Sequence, residues 1–258
     1  MRAIWKGSLS IGLVNIPVAI YTASEPKALE FNLLCGKCKT PLQYKRYCPN
    51  CKKEVAWQDV IRGLKLGRGI YYVFEKGELE KLKPEKSDVI EILFFTDAEL
   101  EPVYFNKNYY LVPTQEREKA YFLMKQALEA LNIKAVVRLI FKEKEYIGIV
   151  QPYKDGMLLT TLNYAYEIRD INKIEILKSK ARVSEKELAL AKELIKKFYK
   201  KTIPIKEFKD TFAEKLKELI KKKMKGEKVV VEKIKKVVPE KNLMQALEAT
   251  IKEVKVKK

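Results

Sequence analysis

Short runs of β-branched and aromatic residues fill the first two thirds of the chain, and turn residues separate them. Such runs predict strands, because an amphipathic helix needs a longer stretch with apolar residues three and four apart. Two strands are predicted within residues 3–22, and the others at 70–74, 89–95, 109–112, 135–142, 145–150 and 157–162. Several short strands joined by polar turns indicate a β-barrel or a β-sandwich.

Helical patterns appear once among the strands and again throughout the last third of the chain. The first helix is predicted after Thr114, its expected N-cap, from apolar residues spaced three and four apart: Tyr121, Met124, Leu128 and Leu131. Near residue 173 strand-like runs give way to helical spacing and a high lysine content. We therefore expect a β-rich core over 1–172 and a basic helical arm over 173–258.

The arm is predicted to contain three helices. Ser184 and Glu187 form a capping-box signature for the first, and the others are expected at 206–225 and at about 240–254. Each carries an apolar stripe, but so few helices are too thin to bury those stripes alone. We expect the arm to pack on the barrel or on another subunit.

All four cysteines lie in two CxxC pairs within a single short segment: Cys35, Cys38, Cys48 and Cys51. Four thiolates at this spacing suit tetrahedral Zn²⁺, and a closed set of four leaves no position for a reactive water. We expect a structural zinc knuckle that holds a loop with few apolar residues. A redox dithiol or a disulfide is the alternative, although disulfides are uncommon in the cytosol and neither pair opens a thioredoxin-like unit.

Positive charge is concentrated in two blocks of the chain, whose formal net charge is +19. Residues 27–68 carry 10 basic and 3 acidic side chains, and residues 173–258 carry 27 and 13. A one-sided surplus is typical of proteins that bind polyanions. In the first block the predicted DNA-binding residues are Lys37, Lys39, Lys45, Arg46, Lys52, Lys53, Arg62, Lys65 and Arg68.

Plainer interpretations of these residues stay open. Both blocks could be solvated faces, and a chain rich in Lys and Glu is also typical of thermophiles, although that does not explain a one-sided surplus. The aromatic residues Tyr44, Tyr47 and Trp57 lie among the cations, but we interpret them as core or knuckle packing and leave them out of the site.

Several classes of protein are excluded or disfavoured by what the sequence lacks. Histidine is absent, which excludes Ser-His-Asp and Cys-His catalysis and His-ligated zinc. Neither a P-loop nor a dinucleotide-binding glycine turn is present, so we do not expect an enzyme. No apolar run approaches the ~18 residues of a membrane span and no signal peptide is evident, so we expect a cytoplasmic protein with no membrane partner.

The opening segment IWKGSLSIGLVNIPV, residues 4–18, closely resembles the start of the prokaryotic Ku family, the DNA end-binding proteins of non-homologous end joining. Further similar segments follow in the same order and cover nearly the whole chain: RYCPNC at 46–51, WQDVIRG at 57–63, NYYLVP at 108–113, LTTL at 159–162 and LMQAL at 243–247.

This resemblance implies a seven-stranded Ku-type β-barrel with a helical C-terminal arm. It also implies a homodimer that forms a ring around double-stranded DNA ends, with the loop at about 25–68 as a bridge over the DNA. The family has no catalytic residues, protects and bridges ends, and recruits an ATP-dependent DNA ligase, which places the protein in the cytoplasm at the nucleoid.

Two other functions remain open from the residues alone. A zinc-ribbon module that binds RNA or serves transcription would share the charge and the cysteines, but would not require DNA ends or a dimer. A redox enzyme built on the two CxxC pairs would have reactive thiols and no bound zinc.

Overall fold

The computed structural model describes residues 1–25, 31–75, 77–81, 87–115, 118–179, 181–225 and 243–256. These residues divide into two compact units, 1–169 and 170–258.

Seven strands of the first unit form a closed barrel. They are β1 (Trp5–Ile11), β2 (Val14–Thr22), β7 (Val89–Thr96), β8 (Phe105–Pro113), β9 (Lys134–Phe141), β10 (Lys144–Tyr153) and β11 (Gly156–Leu162). The order around the barrel is β1-β2-β8-β11-β10-β9-β7. All neighbours are antiparallel except β1 and β7, whose parallel pairing closes the barrel. The predicted β-barrel is confirmed.

Alternating apolar residues fill the barrel because successive side chains of a strand point to opposite faces. In β9, every second residue from Ala135 to Phe141 is buried, and Ile16, Val18 and Ile20 of β2 repeat the pattern. Two buried threonines on β11 keep hydrogen-bond partners: Thr160 donates to Asn108 Oδ1 at 2.7 Å, and Thr161 donates to the carbonyl of Lys107 at 3.3 Å. Both buried hydroxyl groups of this core are therefore hydrogen-bonded.

Helix α2 (Lys119–Leu131) packs against the barrel through Tyr121 and Leu128, which are both buried. The Tyr121 hydroxyl donates to the carbonyl of Leu111 at 2.6 Å, and burial raises the pKa of Tyr121 to about 12. The predicted N-cap at Thr114 was wrong, since Glu118 occupies that position without a side-chain cap. Thr114 instead continues the barrel pairing, because its N–H donates to the carbonyl of Pro17 at 3.2 Å.

Two small antiparallel sheets lie in the chain between β2 and β7. They are formed by β3 (Tyr47–Cys48) with β4 (Lys53–Glu54) and by β5 (Arg62–Gly67) with β6 (Ile70–Phe74), and helix α1 (Glu78–Lys81) follows them. Strand β5 was not predicted, because its alternation of leucines with charged residues and glycine resembles a polar loop. Among the described residues, neither sheet pairs with a barrel strand.

The second unit is helical. It contains α3 (Glu185–Phe198), α4 (Thr211–Met224) and α5 (Leu243–Val256). Ser184 caps α3 as predicted, because its hydroxyl accepts from the N–H of Glu187 while the Glu187 carboxylate accepts from the N–H of Ser184. α3 packs against α5, where Lys197 Nζ donates to the carbonyl of buried Ile251 at 3.5 Å.

Among the helices that the structure describes, none is long and apolar enough to cross a bilayer.

Gly7 allows the closing contact of the barrel, and replacing it should weaken the fold. A Cβ atom there would overlap the carbonyl oxygen of Asp88, which accepts the N–H of Ser8 at 2.8 Å, and the ring of Trp5. We expect Gly7→Ala to lower the free energy of unfolding by about 1–3 kcal/mol, as overpacking does. Guanidinium denaturation followed by circular dichroism measures the change.

Gly67→Ala is the matched control. A Cβ at Gly67 meets no atom within 4 Å, and the φ of Gly67 lies outside the left-handed region. We expect a change within about 0.5 kcal/mol. Equal effects of the two substitutions would show that close approach at Gly7 is not what limits the barrel.

Candidate nucleic-acid interface

The first cysteine pair lies in a tight turn between two short extended segments. The N–H of Cys35 donates to the carbonyl of Thr40 at 2.8 Å, and the N–H of Leu42 donates to the carbonyl of Leu33 at 2.9 Å. Leu34 and Pro41 form a bridge between these bonds. The segment 33–42 is therefore a small hairpin with Cys35 and Cys38 at its tip.

The second cysteine pair lies in a hairpin of the same kind. Tyr47 pairs with Glu54 and Cys48 with Lys53, while the N–H of Val55 donates to the carbonyl of Arg46 at 2.8 Å. The N–H of Cys51 approaches Cys48 Sγ at 3.5 Å, so this turn brings the two cysteines together.

The two turns share a left-handed backbone conformation at the same position. The residue after the second cysteine of each pair, Lys39 or Lys52, has a left-handed φ of 61° or 52° respectively. Residues other than glycine rarely adopt this backbone conformation. Its occurrence at the same position of both turns indicates two copies of one turn type. The repeated CxxC spacing therefore specifies a repeated local structure.

Hydrogen bonds within each turn shift the pKa values of the thiols. The Thr40 hydroxyl, whose Oγ1 lies 2.9 Å from Cys38 Sγ, and then the Thr40 backbone lower the pKa of Cys38 to about 7. The backbone N–H of Cys51 lowers the pKa of Cys48, while the hydrogen bond to Cys48 raises the pKa of Cys51. The thiols thus interact within pairs, and no three Cys, Asp or Glu side chains form a metal-binding group among the described residues.

All nine predicted DNA-binding residues are exposed, but not all are equally free. Lys45 Nζ forms an ion pair with Glu54 Oε1 at 2.8 Å, and Lys39 Nζ donates to the carbonyl of Gly36 at 2.6 Å. Six of the nine make no ion pair, side-chain hydrogen bond or ring contact with another described residue: Lys37, Lys52, Lys53, Arg62, Lys65 and Arg68. These six present uncompensated positive charge to solvent.

The aromatic residues of this segment are exposed, so their interpretation as core packing was wrong, although Trp57 does pack against Arg46 of the knuckle. Trp57 is 68% exposed, and Tyr44 and Tyr47 are 85% and 59% exposed. The guanidinium carbon of Arg46 lies 4.0 Å from the centroid of the Trp57 ring, a cation–π contact. The apolar core cluster of the barrel contains no residue of the segment 31–75, so it does not bury these rings.

The second cysteine hairpin has two chemically different faces, because side chains alternate along each strand. Arg46, Lys53 and Trp57 share one face, as the contact between Arg46 and Trp57 confirms. Lys45 and Tyr47 lie on the opposite face, where Glu54 neutralises Lys45. The unpaired cations and the exposed indole thus occur together.

The sheet of β5 and β6 continues the basic segment. Arg62 pairs with Phe74 and Lys65 pairs with Tyr71, while Arg68 lies in the connecting turn. Apolar side chains of this sheet are also exposed, with Leu66 at 65% and Ile70 at 63%. The sheet therefore combines exposed cations with an uncovered apolar surface.

Comparison with known proteins assigns the barrel. The family model of the Ku70/Ku80 beta-barrel domain matches residues 10–190. Proteins named "Non-homologous end joining protein Ku" match nearly the full chain. That of Archaeoglobus fulgidus is 36% identical over 99% of this chain and 100% of its own length. Those of Heliobacterium modesticaldum and Bacillus thuringiensis are 35% and 32% identical, over 99% and 100% of this chain and 93% and 97% of theirs.

Proposed function

The chain belongs to the Ku family, and from that premise we propose that it binds the ends of double-stranded DNA as a homodimeric ring in non-homologous end joining. Exposed cations support this proposal. Most of them are unpaired, and they lie on two small sheets that pair with none of the described barrel strands. A set of this kind can contact a duplex without disturbing the barrel.

Contacts from these cations would go to phosphates. Lysine and arginine that neutralise phosphates release counterions, which supplies affinity without reading sequence. Selection of ends would then come from topology, because a closed ring can reach the duplex only where the duplex terminates. Affinity and end selection thus have separate physical sources, and neither needs a catalytic group.

We propose that a second copy of the chain covers the apolar side chains that the helical unit exposes. Large apolar side chains are exposed on α3 and α4, including Ile195 at 66%, Phe198 at 61% and Phe212 at 66%. Exposure of several such side chains on two short helices is typical of a surface that another subunit covers. We propose the homodimer contact here.

The protein would act as a scaffold at the end rather than as an enzyme. We propose that it protects the end and recruits an ATP-dependent DNA ligase, which would carry out the joining reaction.

We also propose that one zinc ion joins the two cysteine hairpins. The support is chemical: four thiols occupy equivalent positions in two turns of one type, and each pair can supply two tetrahedral ligands. The pairs do not converge among the described residues, so binding requires the hairpins to approach each other. Zinc would supply folding free energy to a segment with little apolar core, and Cys35, Cys38, Cys48 and Cys51 would hold it.

End-dependent loading can be tested by competition. Labelled blunt duplex is bound by the protein and challenged with excess unlabelled linear DNA or with an equal mass of covalently closed circle. We expect the linear form to displace the label and the circle to fail, because a closed ring has no entry to a circle. Equal displacement by the circle would contradict end binding and favour a general nucleic-acid module.

Charge reversal tests which surface contacts the duplex. We expect Lys53→Glu with Lys65→Glu to weaken binding and to reduce the slope of log K against log salt by about 2, since each phosphate contact contributes roughly 0.9. The control, Lys107→Glu with Lys144→Glu, makes the same charge change at exposed barrel positions. Equal slopes for the two variants would show that net charge, not the two small sheets, governs binding, and size-exclusion chromatography checks that both remain dimers.

Metal content tests the shared zinc site. We expect about one zinc per chain by elemental analysis, as a closed four-thiolate site requires. Cys38→Ser and Cys51→Ser remove one ligand from each pair, and each should abolish stoichiometric zinc. Loss in only one variant, or four rapidly titrating thiols in the unmodified protein, would contradict a single site made by both hairpins.

A further inference from the structure

We propose that Trp57, together with the guanidinium of Arg46, is a stacking site for unpaired bases, so that the protein binds the single-stranded extension of a broken DNA end in addition to its duplex. This inference rests on the proposed function for its location at DNA ends. It assigns a second ligand to the second cysteine hairpin: an unpaired base, in addition to the phosphates of the duplex.

The indole of Trp57 is held in place but left uncovered. Trp57 begins a 3₁₀ turn, Trp57–Asp59, in which the N–H of Val60 donates to the carbonyl of Trp57 at 3.2 Å. Arg46 covers one face of the ring at 4.0 Å, yet the residue remains 68% exposed, which leaves the other face open to solvent. A ring fixed in this way can accept a second flat group without first being ordered.

The backbone fixes the pair from both sides. The bond from the N–H of Val55 to the carbonyl of Arg46, at 2.8 Å, closes the hairpin, and Trp57 follows Val55 by two residues at the start of the 3₁₀ turn. The backbone of Arg46 is therefore held by the hairpin, and only its side chain must be ordered to contact the ring. The cation–π contact orients both groups, and it leaves guanidinium N–H groups available for a phosphate.

An internal base pair of a duplex cannot use this site. Bases in a duplex stack on one another, so only their edges and the sugar–phosphate backbone face a protein. A single-stranded extension exposes the faces of its bases, and an exposed tryptophan stacks on any of them. The open indole face thus fits an unpaired base and contributes nothing to the internal base pairs of a duplex.

The same face of the hairpin supplies charge for the backbone between stacked bases. Lys53 lies on the face of Arg46 and Trp57 and makes no ion pair with a described residue. A stacking ring beside cations that contact the backbone is the combination that binds single strands without sequence preference. On the opposite face, Lys45 is neutralised by Glu54 at 2.8 Å, so that face is poorer in free charge.

The experiment compares two labelled DNAs, a blunt duplex and the same duplex with a 3′ extension of about ten thymidines, within the usual size of a single-strand site. We expect the unmodified protein to bind the extended DNA more tightly. Trp57→Ala should reduce affinity for the extended DNA by about 5- to 150-fold, the range of one stacked base, and change affinity for the blunt duplex less than about twofold.

Tyr47→Ala is the matched control. It removes another exposed aromatic residue from the same hairpin, but from the face opposite Trp57. We expect this variant to bind both DNAs as the unmodified protein does. Trp57→Phe keeps a ring and should retain most of the preference, which separates stacking from damage to the hairpin. Equal losses on both DNAs, or equal losses in Tyr47→Ala and Trp57→Ala, would overturn the proposal.

Fluorescence gives a second reading that does not depend on folding of the alanine variant. The chain has two tryptophans, so Trp5→Phe leaves Trp57 as the only indole. We expect the extended DNA to quench its emission and the blunt duplex to leave it nearly unchanged. Equal quenching by both, or none by either, would contradict base stacking.

The competition with closed circular DNA keeps the two proposals separate. If the circle competes with the blunt duplex while the extension still quenches Trp57, end loading fails and the stacking site stands. If the circle does not compete and the extension gives neither quenching nor added affinity, end loading stands and the stacking site is overturned.

Discussion

The parallel pairing of β1 with β7 is the contact on which the rest of the first unit depends. It joins the first strand of the chain to the seventh and closes a sheet whose other neighbours are all antiparallel. The pairing requires Gly7, because any side chain there would meet the carbonyl of Asp88. Closure satisfies every strand edge of the barrel, so the segment between β2 and β7 must form its sheets elsewhere.

This separation assigns different physical roles to different parts of the chain. The barrel is held by buried apolar residues, and every buried polar side-chain atom in the described part of the chain has a hydrogen-bond partner. The segment from 31 to 75 has the reverse character, with almost no buried side chains and many free cations. Short-range turns and hydrogen bonds stabilise it locally, and the proposed zinc ion would add to that stability.

Local chemistry was predictable wherever neighbouring residues decide it. The strand runs, the capping box at Ser184 and the repeated CxxC turns all follow from side chains within a few positions of one another. Predictions failed where distant parts of the chain compete for a residue. Thr114 suited an N-cap, but the barrel partner Pro17 takes its N–H, and Trp57 suited a core, but the hairpin that carries it lies outside one.

The amino-acid sequence is enough to predict a strand-rich core, a basic helical arm, two equivalent cysteine turns and the location of the cations. Each of these features depends on composition or on residues a few positions apart, and these do not change with the fold. The tertiary structure alone decided that β1 closes on β7, that Lys45 is neutralised while Lys53 is free, and that Arg46 stacks on an exposed Trp57. The first contact joins strands that are far apart in the chain, and the other two join the two sides of one hairpin, so all three depend on which segments meet in the folded structure.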